Sequence, residues 1–138
     1  MIDSFKNKYY FLSNFYNAPI IYNGIRYENN EAAFHAQKNL NRSKEFCTLN
    51  PSQAKALGRK VLLREDWEMV KDLIMYEINY EKYIQNTDLK KRLLETGEQE
   101  LVEGNFWNDT YWGVCNGVGE NHLGKILMKI RGELRECN

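Results

Sequence analysis

Residues 66–84 read DWEMVKDLIMYEINYEKYI, a long run in which apolar residues recur at helical spacing. Asp66 is of a residue type that often caps helices, and Trp67 follows it directly. The recurring apolar positions are Val70, Leu73, Ile74, Tyr80 and Ile84. Because positions three and four apart share one helix face, the pattern predicts a helix from Trp67 to about Ile84. We expect this helix to be the central packing element.

Four shorter helices are predicted on either side of it from their start and stop residues. Asn30 is a plausible cap for a helix over residues 31–40, which places Glu31 in the first turn. Asn50 is followed by Pro51, the residue type favoured at the first helical position, and that helix should stop at Gly58. The remaining two predicted helices cover residues 88–96 and 122–135.

The N-terminal part of the chain is rich in β-branched and aromatic residues. Residues 9–15 and 20–27 carry most of them, around Pro19 and an Asn23–Gly24 pair typical of hairpin turns. The sequence therefore predicts an α+β fold that is mainly helical, with a small N-terminal β-meander or hairpin and about five helices. No repeat or Pro/Ser-rich linker divides the chain, so we expect a single domain over residues 1–138.

Composition limits the function classes. Nineteen acidic residues balance nineteen basic ones, so no large field favours duplex nucleic acid, while a small charged ligand remains allowed. No apolar run approaches the roughly 20 residues of a membrane span, and no leader pattern is evident, so we expect a cytoplasmic protein without a membrane partner. Cys47, Cys115 and Cys137 are odd in number and far apart, which favours free thiols over disulfides or a zinc knuckle.

Residues 99–124 combine tryptophans, an acid and glycines in a stretch without helix or strand periodicity. Trp112 and its aromatic neighbours offer flat faces for a ring, and Asp109 offers a charge. The loop at 117–121 leads into a helix, where backbone N–H groups can receive an anion. A simple tight turn before the helix explains the loop equally well. Ring, acid and anion site together suggest a nucleotide-like ligand.

Two carboxylates are candidate catalytic groups. Glu31 heads an otherwise apolar helix face, so it would be partly desolvated, which suits an acid that handles protons. Its simpler interpretation is a first-turn glutamate that complements the helix dipole. Asp109 is the second carboxylate, and a turn with side-chain-to-backbone bonds is an equally good interpretation of it. Cleavage of a glycosidic bond passes through an oxocarbenium-like state, which one acid can stabilise while another handles protons or water.

Other residues have structural interpretations of comparable weight. Trp67 can be a core contact at a helix start, and Arg59 can belong to a solvated basic patch. A metal held by Glu31 and His35 is disfavoured because the chain has two histidines in all. A thiol dyad of Cys115 with His122 is disfavoured because nothing supplies an oxyanion hole or a third orienting group.

Several motifs in order resemble one known family over nearly the whole chain. They are FLSNF at 11–15, NE at 30–31 with FHAQK at 34–38, LGRK at 57–60, LREDW at 63–67 with VK at 70–71, LVEG at 101–104, NDTYWG at 108–113, and G-x-G-x-N-x-L-G at 117–124. On these residues the chain resembles the YbiA-like members of the NADAR (NAD and ADP-ribose associated) superfamily.

The resemblance implies an N-glycosidase that hydrolyses the bond between C1′ of a ribose 5-phosphate or ADP-ribose unit and a nitrogen, with neither metal nor organic cofactor. The implied substrates are small N-ribosides, such as phosphoribosylamino-pyrimidine intermediates of riboflavin synthesis, or ADP-ribose on guanine in nucleic acid. Glu31 and Asp109 would be catalytic. The implied substrate-binding residues are Trp67, Trp112, Asn14, Lys38, Arg59, Gly119 and Asn121.

The chain departs from the family pattern at three positions on one predicted helix. His35 stands where the family commonly has glutamine, and Ala32 and Ala33 replace a bulkier pair, which bears on substrate size. A binding module for ADP-ribose or NAD is the competing class. Because such a module gains little from a partly buried acid near an anionic ligand, Glu31 favours the enzyme. The sequence predicts no oligomeric state.

Overall fold

A computed structural model of the chain describes residues 1–137. Within that part the helices are α1 (Asn30–Ala36), α2 (Pro51–Gly58), α3 (Trp67–Gln85), α4 (Thr87–Glu95) and α5 (His122–Glu136). The strands are β1 (Asn17–Tyr22), β2 (Ile25–Asn29), β3 (Gly104–Asn105) and β4 (Val114–Cys115). Two 3₁₀ helices cover Asn7–Leu12 and Leu40–Phe46. The prediction of a mainly helical α+β fold is confirmed.

The chain forms two compact units. We call residues 14–86 the central unit, and residues 1–13 with the chain from Thr87 onward the terminal unit. β1, β2 and α1 to α3 lie in the central unit, whereas β3, β4, α4 and α5 lie in the terminal unit.

The central unit is built on an antiparallel hairpin and α3. β1 pairs with β2 across the turn at Asn23 and Gly24, whose φ values of 50° and 80° are those of a two-residue hairpin turn. Ile20 and Tyr27 on these strands are each 1% exposed. The hairpin prediction is therefore confirmed.

The buried face of α3 differs from the predicted one. Ile74, Met75 and Ile78 are buried, whereas Leu73 and Ile84 are 58% and 45% exposed. The helix itself begins at Trp67 as predicted and ends at Gln85. α3 packs against both α1 and β1, so it is the central packing element of its own unit.

The strand predicted at residues 9–15 is wrong. Tyr9 N–H donates to Lys6 O and Ser13 N–H donates to Tyr10 O, both at 2.9 Å, which are the bonds of a 3₁₀ helix. Phe11 and Leu12 are buried through this tight turn. Aromatic content suggested a strand there, but tertiary burial of these two side chains overrides that propensity.

Helix starts show which capping predictions hold. Asn29, rather than Asn30, caps α1: its Oδ1 accepts the N–H of Ala32 at 2.8 Å. Asn50 caps α2 as predicted, in a reciprocal capping box with Gln53. Asp66 makes no side-chain cap on α3, because its carboxylate takes two hydrogen bonds from Arg64, at 2.6 and 3.0 Å. α1 also ends earlier than predicted, at residue 36.

The terminal unit packs α4 against α5. Leu93, Leu127, Ile130 and Leu134 are 0% exposed and form its apolar core. β3 and β4 form a short parallel pair. No helix in the described part of the chain is both long and apolar enough to cross a membrane.

Candidate active site

Glu31 is held in the first turn of α1 by contacts on both sides. Its backbone N–H donates to Asn14 O at 3.1 Å. Its Oε2 lies 3.2 Å from Nε2 of His35, one helical turn further along. The Glu31 side chain is 13% exposed and that of His35 is 9% exposed. The structure therefore presents a partly desolvated carboxylate with a hydrogen-bonded neighbour.

Three buried asparagines lie behind this turn. Asn30 Nδ2 donates to Oδ1 of Asn14 and to Oδ1 of Asn79, each at 3.0 Å. Asn79 Nδ2 donates to Met75 O at 3.0 Å, which ties the group to α3. Asn14 was predicted to contact substrate, but here its amide is used inside the protein. The arrangement supports a role for Asn14 in placing Glu31, while direct contact with substrate stays a prediction.

Lys38 and Trp67 lie next to each other in the same unit. Lys38 Nζ is 5.7 Å from the centre of the Trp67 ring, a cation–π distance. Trp67 is 6% exposed and packs on Phe34 with ring centres 5.0 Å apart. This burial supports a packing role for the Trp67 ring, with Lys38 over one face.

The charges around Lys38 connect the predicted site residues of the central unit. Burial lowers the pKa of Lys38, Glu31 acts to raise it, and Arg59 acts to lower it further. Both groups are thus close enough to Lys38 to act electrostatically on its ammonium. Arg59 follows the last residue of α2 and is exposed. Glu31, Lys38, Arg59 and Trp67 therefore form one cluster.

Asp109 lies in the terminal unit and shapes a turn. Its Oδ1 accepts the backbone N–H groups of Tyr111 at 3.2 Å and Trp112 at 2.9 Å. Asn105 holds Asp109 from the other side, accepting its N–H at 3.1 Å and donating to its carbonyl at 2.9 Å. The side-chain-to-backbone turn is therefore present, and a catalytic role for Asp109 stays a prediction.

Trp112 belongs to an aromatic group at the start of α5. Tyr111 stacks on His122 with ring centres 4.1 Å apart and planes 4° apart, and Trp112 meets Tyr111 edge-on at 4.8 Å. Trp112 is partly exposed, in contrast to the buried Trp67. Of these two predicted binding tryptophans, Trp112 is the better placed to offer a face to a ligand.

The backbone donors at the start of α5 are engaged within the protein. The N–H groups of residues 120–123 donate to carbonyls of residues 110–113, at 2.8 to 3.2 Å. The helix start is thus capped by its own chain, which supports the tight-turn interpretation over the anion site. A Cβ at Gly119, where φ is 153°, would collide with the Gly113 carbonyl, so close packing requires this glycine.

Asn121 also has a structural task. Its Oδ1 accepts the N–H of Glu103 at 3.0 Å, and its Nδ2 donates to Leu101 O at 2.9 Å. The side chain is 8% exposed. Gly119 and Asn121 therefore build the loop that leads into α5, and their contact with substrate stays a prediction.

Two further features of the central unit were missed by sequence reasoning. Lys82 is 0% exposed, with Nζ 5.7 Å from the ring centre of Tyr16 and 5.3 Å from that of Tyr83, and burial lowers its pKa to about 7. A groove of about 300 Å³ lies between the hairpin and α3 and is lined by Tyr22, Tyr76 and their neighbours. No predicted site residue lines that groove.

Among the described residues, no three His, Cys, Asp or Glu side chains are grouped so that they could hold a metal ion. Cys115 is buried in the terminal unit, where its Sγ lies 3.9 Å from Asn108 Oδ1. His122, which the thiol-dyad hypothesis paired with Cys115, instead contacts Glu120 at 3.2 Å and stacks on Tyr111.

Comparison with known proteins identifies the family. The NADAR domain model matches residues 2–135, and the chain belongs to the NADAR domain family. This match runs through both compact units. The single domain over residues 1–138 stays a prediction.

Named relatives and a solved structure agree with this assignment. An N-glycosidase of Nostoc punctiforme is 46% identical over 88 residues, which is 62% of this chain and 56% of that protein. A riboflavin biosynthesis protein of Vibrio vulnificus is 37% identical over 132 residues, 91% of this chain and 36% of that protein. The chain thus spans about half or less of these two relatives. An NMR structure of the Escherichia coli protein YbiA superposes with a TM-score of 0.85 and 33% identity, covering 99% of this chain and 88% of that one.

Proposed function

We propose that the chain is an N-glycosidase that hydrolyses the C1′–N bond of a phosphoribosyl or ADP-ribosyl adduct. The observation that carries the proposal is the Glu31 carboxylate, which is 13% exposed, is held by His35 and acts electrostatically on Lys38. A partly desolvated carboxylate beside a lysine suits both parts of an anionic riboside. The carboxylate can stabilise the positive charge that develops on the ribose, and the lysine ammonium can bind the phosphate.

In the proposed reaction the C1′–N bond breaks and a water oxygen bonds to C1′. One water proton ends on the new hydroxyl, and the other balances the departing nitrogen. Glu31 either takes a proton from the attacking water or stabilises the positive charge that develops on the ribose. Lys38 and Arg59 bind phosphate. We assign Asp109 as the second carboxylate, either a partner in proton transfer or an anchor for a ribose hydroxyl.

We propose small soluble N-ribosides, of the phosphoribosylamino-pyrimidine class, as the substrates. The formal net charge of zero gives little attraction to a long phosphate backbone. The name of the Vibrio vulnificus relative points to riboflavin metabolism. Ala32 and Ala33 are each 0% exposed, so their small size serves the packing of α1 and is no argument for a larger substrate.

Removal of ADP-ribose from guanine in nucleic acid is the second candidate. A single ADP-ribose presents the same C1′–N bond and the same phosphate chemistry, with little need to contact the rest of a strand. It differs from the first candidate in leaving group and size. The two candidates therefore separate by substrate and not by site.

A turnover assay on a panel of N-ribosides tests the proposal. The panel holds phosphoribosylamino-pyrimidines, an oligonucleotide with ADP-ribosylated guanine, and free ADP-ribose and NAD as ligands, with products identified by mass. We expect the highest kcat/KM on the pyrimidines. A hundredfold preference for the oligonucleotide, about 2.7 kcal/mol of discrimination, would reverse the substrate assignment. Tight binding of ADP-ribose or NAD without product from any compound would show a binding module instead.

A further inference from the structure

His35 occupies a tightly enclosed position beside the proposed catalytic acid. Its side chain is 9% exposed, its Nε2 lies 3.2 Å from Glu31 Oε2, and its ring meets Phe34 edge-on with centres 5.6 Å apart. The i to i+4 spacing on α1 places the imidazole directly beside the carboxylate. This chain therefore gives Glu31 a neighbour that is itself fixed by packing.

Gly58, the last residue of α2, forms the other wall of the imidazole site. A Cβ added at Gly58 would collide with Nδ1 and Cγ of His35. The ring thus lies against the backbone of α2, in a space that exists because residue 58 has no side chain. Any larger residue at 58 would push the ring out of its present position.

The two ring nitrogens of His35 have different surroundings. Nδ1 is buried without a hydrogen-bond partner among the described residues, whereas Nε2 faces the Glu31 carboxylate. A proton on Nδ1 would be an unpaired buried donor, and a proton on Nε2 has an acceptor. The geometry therefore favours the tautomer in which Nε2–H donates to Oε2.

We propose that His35 is a positioning residue. Its ring packs against Gly58, and its Nε2–H donates a hydrogen bond that fixes Oε2 of Glu31. Oε1 is then left to face water or the ribose carbon. The inference rests on the proposed role of Glu31 in the N-glycosidase reaction. His35 does not contact the reacting atoms. It limits the rotamers of a carboxylate that must be aligned closely, and misplacement by about 1 Å costs up to about 10²-fold in rate.

The test is a double-mutant cycle between His35 and Gly58, with kcat and KM measured separately. His35→Leu should lower kcat about tenfold or more with KM nearly unchanged, because alignment is lost and binding is kept. His35→Gln retains an N–H donor and should stay within about threefold of wild type. Gly58→Ala should lower kcat like His35→Leu, and the two changes together should cost no more than either alone.

Gly132→Ala is the matched control. Gly132 lies within α5, and a Cβ there meets nothing within 4 Å. The control should leave kcat and KM at the wild-type values. Thermal unfolding of every variant gives the folded fraction to which kcat is normalised. If Gly58→Ala does not fold, the comparison of His35→Leu with His35→Gln carries the test.

Imidazole nitrogen-15 NMR supplies a readout that is independent of activity. We expect the His35 ring to be protonated at Nε2 and bare at Nδ1; the opposite tautomer overturns the inference. A normalised kcat at the wild-type value in His35→Leu, with Glu31→Gln inactive, also overturns the inference. That result leaves the proposed function standing. No turnover by the wild type on any N-riboside removes the proposed function itself, whatever the tautomer.

Discussion

Asp109 accepts the backbone N–H of Trp112 at 2.9 Å, so the second candidate acid and the more exposed candidate tryptophan belong to one turn. The Asp109 carboxylate therefore has a structural role in this turn, and a test of its catalytic role must separate the two. Asparagine at the same position keeps the Oδ1 acceptor and removes the charge. The Asp109→Asn and Asp109→Ala variants therefore distinguish the two roles.

For Asp109→Asn we expect nearly wild-type stability and a kcat lowered by about 10²-fold, because the proposed reaction uses the charge. For Asp109→Ala we expect an additional loss of about 0.5–2 kcal/mol of unfolding free energy, the usual cost of removing an acceptor of backbone N–H groups. Denaturant unfolding and steady-state kinetics measure the two effects. Wild-type kcat in Asp109→Asn would reduce Asp109 to a turn residue.

The two tryptophans should respond differently to truncation. Trp67 is 6% exposed and packs on Phe34, so Trp67→Ala should cost about 3–5 kcal/mol of stability. Trp112 is partly exposed, so Trp112→Ala should cost less stability and weaken substrate binding, by about 1–3 kcal/mol if its ring stacks on a base. Thermal unfolding measures the loss of stability in each variant, and substrate affinity per folded molecule measures the loss of binding. Unchanged affinity in Trp112→Ala would contradict the stacking role.

Lys82 should make the stability of the protein depend on pH. Burial lowers its pKa from 10.5 to about 7. Between these values the unfolded chain binds the proton and the folded chain does not, so the unfolding free energy rises with pH across this window. The difference in stability between wild type and Lys82→Met should rise by at most about 1.4 kcal/mol per pH unit there. A difference that is flat from pH 7 to 10 would contradict the shifted pKa.

Local signals predicted much of the fold. The Asn23–Gly24 turn and the Asn50 cap followed by Pro51 were readable because backbone conformation there depends on neighbouring residues alone. The strand at residues 9–15 was wrong, because burial of Phe11 in a 3₁₀ helix is a tertiary effect. Asp66 failed as a cap because the Arg64 guanidinium, two residues away, takes its carboxylate.

The candidate site was predicted unevenly. The members of the cluster were expected from the family motifs: Glu31, Lys38, Arg59 and Trp67. The i to i+4 spacing of Glu31 and His35 was also visible in the sequence. The contact of the His35 ring with Gly58 was not visible in the sequence, because it joins α1 to α2 and no periodicity encodes such a contact. The hydrogen bonds that join the asparagines behind Glu31 were missed for the same reason: Asn79 lies 49 residues from Asn30.

The central claim is that Glu31 carries out N-glycoside hydrolysis, and Glu31→Gln tests it most directly. The substitution removes the ionisable group and keeps the side-chain volume, so stability should stay close to that of wild type. The measurement is the single-turnover rate of base release from a phosphoribosylamino-pyrimidine, with both products identified by mass. We expect Glu31→Gln to be slower than wild type by about 10²-fold to 10⁴-fold with substrate still bound. A Glu31→Gln rate near that of the active wild type would contradict the claim.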